Sequence, residues 1–228
     1  MGLWYRAVRG TVRSVFFGLR TGGLRGIHES RVPGKGAVIL AANHMSHLDP
    51  PAVGCATRRE LTFMAKKELF KGLFGKIIAS LGAFPVSRGE GDTESIRHSM
   101  ELLEQGHALL LFPEGTRGDG KTLQELNRGV AMLAKRTGAP VVPVGVVGTE
   151  IVLPRGAKKM TRHPIKICFG EPFTYDAMPG ATDREKREAF TAELASRIVA
   201  LCRENGFMLA SSAAHAGRAA NSPTISGD

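Results

Sequence analysis

A histidine and an aspartate stand five positions apart in Ala42-Asn43-His44-Met45-Ser46-His47-Leu48-Asp49-Pro50-Pro51, directly behind the apolar run 37–42. An imidazole held at one ring nitrogen by a carboxylate offers the other nitrogen as a base, able to take a proton from a weak nucleophile. Five residues place two side chains on opposite faces of a strand and about 140° apart on a helix, so His44 and Asp49 meet only if the chain turns between them. Ser46 with Asp49 fits the S/T-x-x-D/E signal of a helix start, and Pro50 suits a first helical position. A strand, a turn and a helix are therefore expected in that order, with His44 at the strand's carboxyl end. The structural alternative is a capping aspartate beside an ordinary loop histidine.

Polar groups gather at two further strand ends. Arg88 follows the run 84–87, and Glu114-Gly115-Thr116-Arg117-Gly118 follows the apolar run 108–112 through Pro113. The planar fork of arginine meets two phosphate oxygens at once, which makes Arg88 and Arg117 candidates for holding a phosphate, although a lone arginine is commonly a surface ion pair.

Taken in order, Asn43-His44-Met45-Ser46-His47-Leu48-Asp49, Gly82-Ala83-Phe84-Pro85-Val86-Ser87-Arg88, Phe112-Pro113-Glu114-Gly115-Thr116-Arg117 and Val142-Pro143-Val144 resemble the four blocks of the glycerolipid acyltransferase family. The branch that looks most similar is that of the 1-acylglycerol-3-phosphate acyltransferases, and the resemblance spans roughly residues 35 to 150 with matching order and spacing. It implies transfer of a fatty acyl group from acyl-CoA or acyl carrier protein to the sn-2 hydroxyl of 1-acylglycerol 3-phosphate (lysophosphatidate), giving phosphatidate. His44 and Asp49 would be catalytic. Arg88, Glu114, Gly115, Thr116 and Arg117 would bind the acceptor, with Glu114 orienting either Arg117 or the glycerol hydroxyl. No metal and no bound cofactor is implied, the acyl thioester being a co-substrate. Gly118 stands where serine is frequent, which leaves the acceptor preference open.

A hydroxyl is a poor nucleophile near neutral pH, so His44 would take its proton as it attacks the thioester carbonyl, with Asp49 fixing the tautomer and stabilising the imidazolium. No acyl-enzyme is needed, and the donor that stabilises the oxyanion is not identified by the sequence. The rival readings are another lysolipid acceptor, a thioesterase that uses water, and a non-catalytic membrane-binding protein. Gly115-Thr116-Arg117-Gly118-Asp119-Gly120-Lys121-Thr122 also satisfies G-x-x-x-x-G-K-[ST]. Rarity alone does not dismiss that match in a chain with 28 glycines, but the context weighs against it: no apolar strand ending in a Walker B aspartate is apparent, and Glu114 and Asp119 would bring negative charge to a triphosphate.

The net charge of +10 calls for an anionic partner, and the resemblance selects a membrane surface and a phosphorylated lipid over nucleic acid. Cys55, Cys168 and Cys202 are scattered and odd in number, which suggests neither a disulfide frame nor a zinc site. No apolar run reaches the roughly 18 residues of a spanning helix, and arginines interrupt the N-terminal stretch, so it reads as retained and not as a cleaved leader. On a helix, Trp4, Tyr5, Val8, Val12, Val15, Phe16 and Leu19 share an arc of about 120° with Arg6, Arg9, Arg13 and Arg20 together beside it. That pattern predicts a basic amphipathic helix lying on the cytoplasmic face of the cell membrane as a peripheral anchor.

Gly18, Gly22, Gly23 and Gly26 predict a joint or a second short helix before Glu29. Strands are expected at 37–42, 61–65, 84–87, 108–112, 140–147 and, as an edge, 165–169. Helices are expected at 69–81, from Asp92 or Thr93 to Gly106, at 127–137 and from Thr182 to Asn205. Lys66-Lys67-Glu68 is read as a solvated turn, or alternatively as facing the acceptor phosphate or an acidic acyl carrier. The alternation predicts an α/β fold with a mixed, largely parallel sheet flanked by helices. The expected organisation is an amphipathic membrane-associating segment at 1–30, an acyltransferase domain at 31–208 and a disordered tail at 209–228.

Overall fold

The computed structural model describes residues 2–86 and 92–212. The chain begins with α1 (Leu3–Thr11), which continues as a π-helical stretch, Val12–Thr21. Next come β1 (Leu24–Ile27), β2 (Val38–Ala42), α2 (Asp49–Ala56), β3 (Leu61–Lys66), α3 (Gly72–Ser80), β4 (Ala83–Val86) and α4 (Asp92–Glu104). The second half comprises β5 (Ala108–Leu111), β6 (Thr122–Leu123), α5 (Gly129–Thr137), β7 (Val141–Val147), the short α6 (Thr149–Val152), β8 (Ile165–Phe169), α7 (Asp183–Glu204) and β9 (Ala210–Ser211).

Seven strands form one sheet in the order β1-β8-β7-β2-β5-β3-β4, parallel throughout except where β8 runs antiparallel to β7. The expected mixed, largely parallel α/β architecture is what the chain adopts. β2 and β7 are buried along their whole length, as apolar strands covered on both faces must be. Ile39 and Ala41 point into one core layer with Leu109, Leu111, Val141 and the apolar stripe of α7, while Val38, Leu40 and Ala42 point into the other with Val53 of α2 and Phe17. The stripe of α7 (Phe190, Leu194, Ile198) is fully buried, and each such side chain contributes about 1.5–3 kcal/mol by leaving water. Thr182 and Glu185 form the expected capping box at its start.

The order of strands decides where the chemistry sits. β2 lies beside β5 with Ala41 opposite Leu111, so the loops that leave their carboxyl ends, one carrying His44 and the other Glu114 and Arg117, emerge side by side. β3 ends at Lys66 and β4 at Val86 on the same edge, since both run parallel to β5 or to each other. Open α/β sheets place ligands at this edge.

The N-terminal segment departs from expectation in three ways. Its arginines do not form one solvent-facing arc: Arg9 donates to the carbonyl of Thr57 and Arg13 to that of Cys55 at 2.8 Å, so two of the four neutralise the carboxyl end of α2. Its apolar residues are likewise divided. Phe17 is fully buried and Val12 and Phe16 pack beside it, whereas Leu3, Trp4, Val15 and Leu19 are exposed. From Val12 on, the wider i→i+5 turn replaces i→i+4 and changes the phase of every later side chain. Finally, the glycines end the helix as expected, Gly22 and Gly23 taking φ of +94° and +118°, but the next element is β1, an edge strand paired with β8. A boundary at residue 30 would cut through the sheet, and β8 is an inner strand, not the expected edge.

At the other end, Leu209 is fully buried and Ala210–Ser211 pairs in parallel with Thr122–Leu123, so the folded chain extends past residue 208. The remainder of the expected tail, 213–228, lies outside the described residues.

Candidate active site

Asn43 closes β2, and its side-chain amide completes the ladder to β7: Nδ2 donates to the carbonyl of Val146 at 3.0 Å and Oδ1 accepts the amide of Val146 at 2.7 Å. The chain then leaves the sheet, and Asp49, at the first turn of α2, reaches back. Its Oδ2 accepts from His44 Nδ1 at 2.7 Å, from the amide of Met45 at 2.7 Å and from that of Ser46 at 2.8 Å. The two residues separated in sequence by five positions are thus in contact, through the expected strand–turn–helix corner. The helix starts at Asp49 itself, with Leu48 as N-cap and no side-chain cap, so the expected Ser46–Asp49 start signal closes the turn before the helix and does not cap it; the hydroxyl of Ser46 accepts from the amide of Leu48 and donates to the carbonyl of Leu153 at 2.7 Å. Asp49 is fully buried and His44 is partly exposed, so the dyad is open on the imidazole's side. With Nδ1–H donated to Asp49, Nε2 is the nitrogen left to accept a proton.

The adjoining loop holds the backbone of His44 on both sides of its Cα. Glu114 Oε1 accepts the amide of His44 at 2.6 Å, and the amide of Gly118 donates to the carbonyl of His44 at 2.7 Å. Glu114 Oε2 accepts the amide of Gln124 at 2.9 Å. Glu114 is 5% exposed, and each of its oxygens accepts a backbone amide. Burial pushes its carboxyl up to about 7, against the pull of the two amides.

Gly115 has φ +68° and an added Cβ would lie 2.6 Å from Asn127 Nδ2, so the turn itself demands glycine. At Gly118 an added Cβ would lie 3.0 Å from Met45 Sδ; methionine fills the space that a serine would need. Thr116 is exposed and Arg117 half-buried, with the carbonyl of Arg117 held by Arg155 Nη1 at 2.8 Å. The pKa of His47 is lowered by burial and then by the cations around it, Arg117 first and Lys66 also. Arg117 and Lys66 thus lie near enough to His47 for their charges to act on it. Arg88, the other candidate for a phosphate, lies outside the described residues.

Sequence reasoning misses Phe112, whose ring stacks on His44 with centroids 4.2 Å apart at 28°. In the sequence it reads as the last residue of an apolar strand, and no spacing rule distinguishes it from one. Asn43 is legible only as part of a motif. The G-x-x-x-x-G-K-[ST] match loses its premise, since a phosphate loop opens a helix, and here Asp119 Oδ1 turns the chain by accepting from Lys121 and Thr122 and leads it into β6.

A parallel-sheet edge carrying a histidine–carboxylate dyad, with Arg117 and Lys66 close to His47, has the groups needed to take a proton from a nucleophile near an anion. The chain belongs to the Acyltransferase family, which it matches over residues 25–147, more than half its length. It is 29% identical to the 1-acyl-sn-glycerol-3-phosphate acyltransferase of Bacillus subtilis (strain 168), over 78% of this chain and 87% of that one. With the Lyso-ornithine lipid O-acyltransferase of Pseudomonas aeruginosa it shares 33% identity over 52% of this chain and 47% of the relative. The crystal structure of the 1-acyl-sn-glycerophosphate (LPA) acyltransferase, PlsC, from Thermotoga maritima superposes with a TM-score of 0.72 at 25% identity, covering 89% of this chain and 80% of that one.

Proposed function

We propose that the protein transfers a fatty acyl group from an acyl thioester, acyl-CoA or acyl carrier protein, to the sn-2 hydroxyl of 1-acylglycerol 3-phosphate, giving phosphatidate. The observation that carries the chemistry is the 2.7 Å contact between His44 Nδ1 and Asp49 Oδ2, which leaves Nε2 as the nitrogen that accepts a proton. His44 Nε2 takes the hydroxyl proton as the oxygen attacks the thioester carbonyl. The carbon–sulfur bond then breaks, and the imidazolium returns the proton to the leaving thiolate, so ester and thiol are formed with the dyad restored. The acyl thioester is a co-substrate, and the steps require no bound cofactor. Names of relatives at 29% and 31% identity support lysophosphatidate as acceptor. Thiol release from acyl-CoA with no acceptor, with glycerol 3-phosphate and with lysophosphatidate, followed by product mass, tests it. Release without an acceptor would make the protein a thioesterase.

Arg117 is assigned to the acceptor phosphate. Arg117→Ala is expected to lower kcat/KM for lysophosphatidate by about tenfold to a hundredfold, the loss of a charge-assisted hydrogen bond worth about 1.5–3 kcal/mol, and lysine should rescue only part of it. Unchanged steady-state constants in the alanine variant would remove the assignment.

The acceptor partitions into bilayers, and the exposed Leu3 (83%), Trp4 (58%), Val15 (56%) and Leu19 (72%) form the surface proposed to meet the cytoplasmic face of an anionic membrane. Trp4 Nε1 donates to Ser80 Oγ at 3.0 Å, joining this patch to α3, where Leu73 is 75% exposed. Arg6 and Arg20, both exposed, would add about 1 kcal/mol each near anionic headgroups. Among the described residues no helix is long and apolar enough to cross a membrane. Replacing Leu3 and Leu19 together with glutamate should weaken co-sedimentation with anionic vesicles by about tenfold or more, since two leucines no longer leave water, while turnover of a detergent-dispersed acceptor persists. Undiminished sedimentation would place the membrane contact elsewhere.

A further inference from the structure

We propose that Glu114 is a positioning residue for the base, acting through the His44 peptide, and does not contact the acceptor. The inference rests on His44 being the base, as proposed above. The carboxylate is enclosed, and its two oxygens accept two backbone amides from different loops, His44 at 2.6 Å and Gln124 at 2.9 Å. The loop that carries Glu114 closes on the same residue through the amide of Gly118, 2.7 Å from the carbonyl of His44. Both polar atoms of the His44 backbone are thus fastened to one neighbouring loop, and Asp49 fastens the ring. An imidazole fixed at backbone and ring cannot drift from its substrate, and an error of an ångström in such a group costs about a hundredfold in rate.

The clamp is sensitive to protons. An ionised carboxylate accepts both amides without competition, whereas a protonated one places an O–H where one amide points. The charged and titratable groups around it are His44 and Asp49 of the base loop, Asp119 beyond Gly118, and the buried thiol of Cys202 on α7, with Met45 Sδ filling the space beside Gly118. Burial first, then Asp49 and Asp119, raise the Glu114 carboxyl to about 7. The clamp's contribution to turnover is accordingly complete above that pH and is lost as pH falls through it. The contribution to stability has the opposite sign. A carboxyl raised from its usual value of about 4.3 binds more protons in the fold than in the unfolded chain across that window, so this group makes the fold less stable as pH rises through it.

Glu114→Gln preserves the shape but turns an NH2 group toward one of the amides and does not titrate. We expect kcat to fall by about tenfold to a hundredfold while KM for lysophosphatidate stays within about twofold, and the acid limb of kcat to lose one ionisation. In 1H–15N spectra of the wild-type protein the amides of His44 and Gln124 should shift together with a midpoint near pH 7, and in Glu114→Gln the amide of Gln124 should not. A raised KM with unchanged kcat would make Glu114 an acceptor ligand and overturn the proposal. So would wild-type amides that do not titrate together, a measurement that stands even if the variant fails to fold. The titration needs no substrate: paired shifts in a protein that transfers no acyl group would leave the clamp intact and remove the proposed function.

Discussion

His44→Ala is expected to lower acyl transfer by on the order of a hundredfold or more, with the fold intact, because it removes the group that accepts the hydroxyl proton. Asp49→Asn should approach the same loss for a different reason. Its amide oxygen can still accept the three donors that converge on Oδ2, but the charge that stabilises the imidazolium is gone. The amide nitrogen would then occupy the place of Oδ1, which is buried with no hydrogen-bond partner among the described residues, adding about 1–3 kcal/mol of instability. His47→Ala should do far less, since His47 is not a partner of Asp49 Oδ2. Thiol release measured beside far-ultraviolet circular dichroism separates chemistry from folding. Near-full turnover in His44→Ala would mean that another group is the base.

The second large effect concerns stability. Phe17→Ala should cost about 3–5 kcal/mol, the range for emptying a buried phenylalanine site, because the ring is fully enclosed in the layer beneath β2 and α2. By the same reasoning, removing residues 1–20 should not yield a free, active domain. It would strip Phe17 from the core and Arg9 and Arg13 from the carboxyl end of α2, together with the tyrosine hydroxyl of Tyr5 that accepts the amide of Leu61 at 3.3 Å. Chemical denaturation of the point variant checks the first figure. A truncated chain that unfolds with the full-length midpoint would show that the helix is peripheral after all.

Much of the site can be read from spacing. His44 and Asp49 are expected to meet because a helix-start signal lies between them, and they do so through side-chain and backbone bonds confined to six residues. The role of Glu114 cannot be read in the same way. A glutamate close to Arg117 suggests an ion pair or a substrate contact, and only the pairing of β2 with β5 brings the amide of His44, 70 residues away, to its carboxylate. Phe112 belongs to the same class, as its ring meets His44 across that strand pair.

The sequence by itself determined the helices and strands with long periodic patterns, the α/β class, the capped start of α7 and the corner that joins base to carboxylate. In each of these the deciding interactions are local, made within a few residues along the chain. Tertiary structure alone decided that β1 joins the sheet, that β8 is an inner strand, that Arg9 and Arg13 bond to the carboxyl end of α2 and that the loop after β5 clamps the backbone of His44 in the loop after β2. A four-residue edge strand with a glycine carries too little pattern to be seen. A helical arc has no fixed direction until the turn type of each segment and the surface it packs against are known.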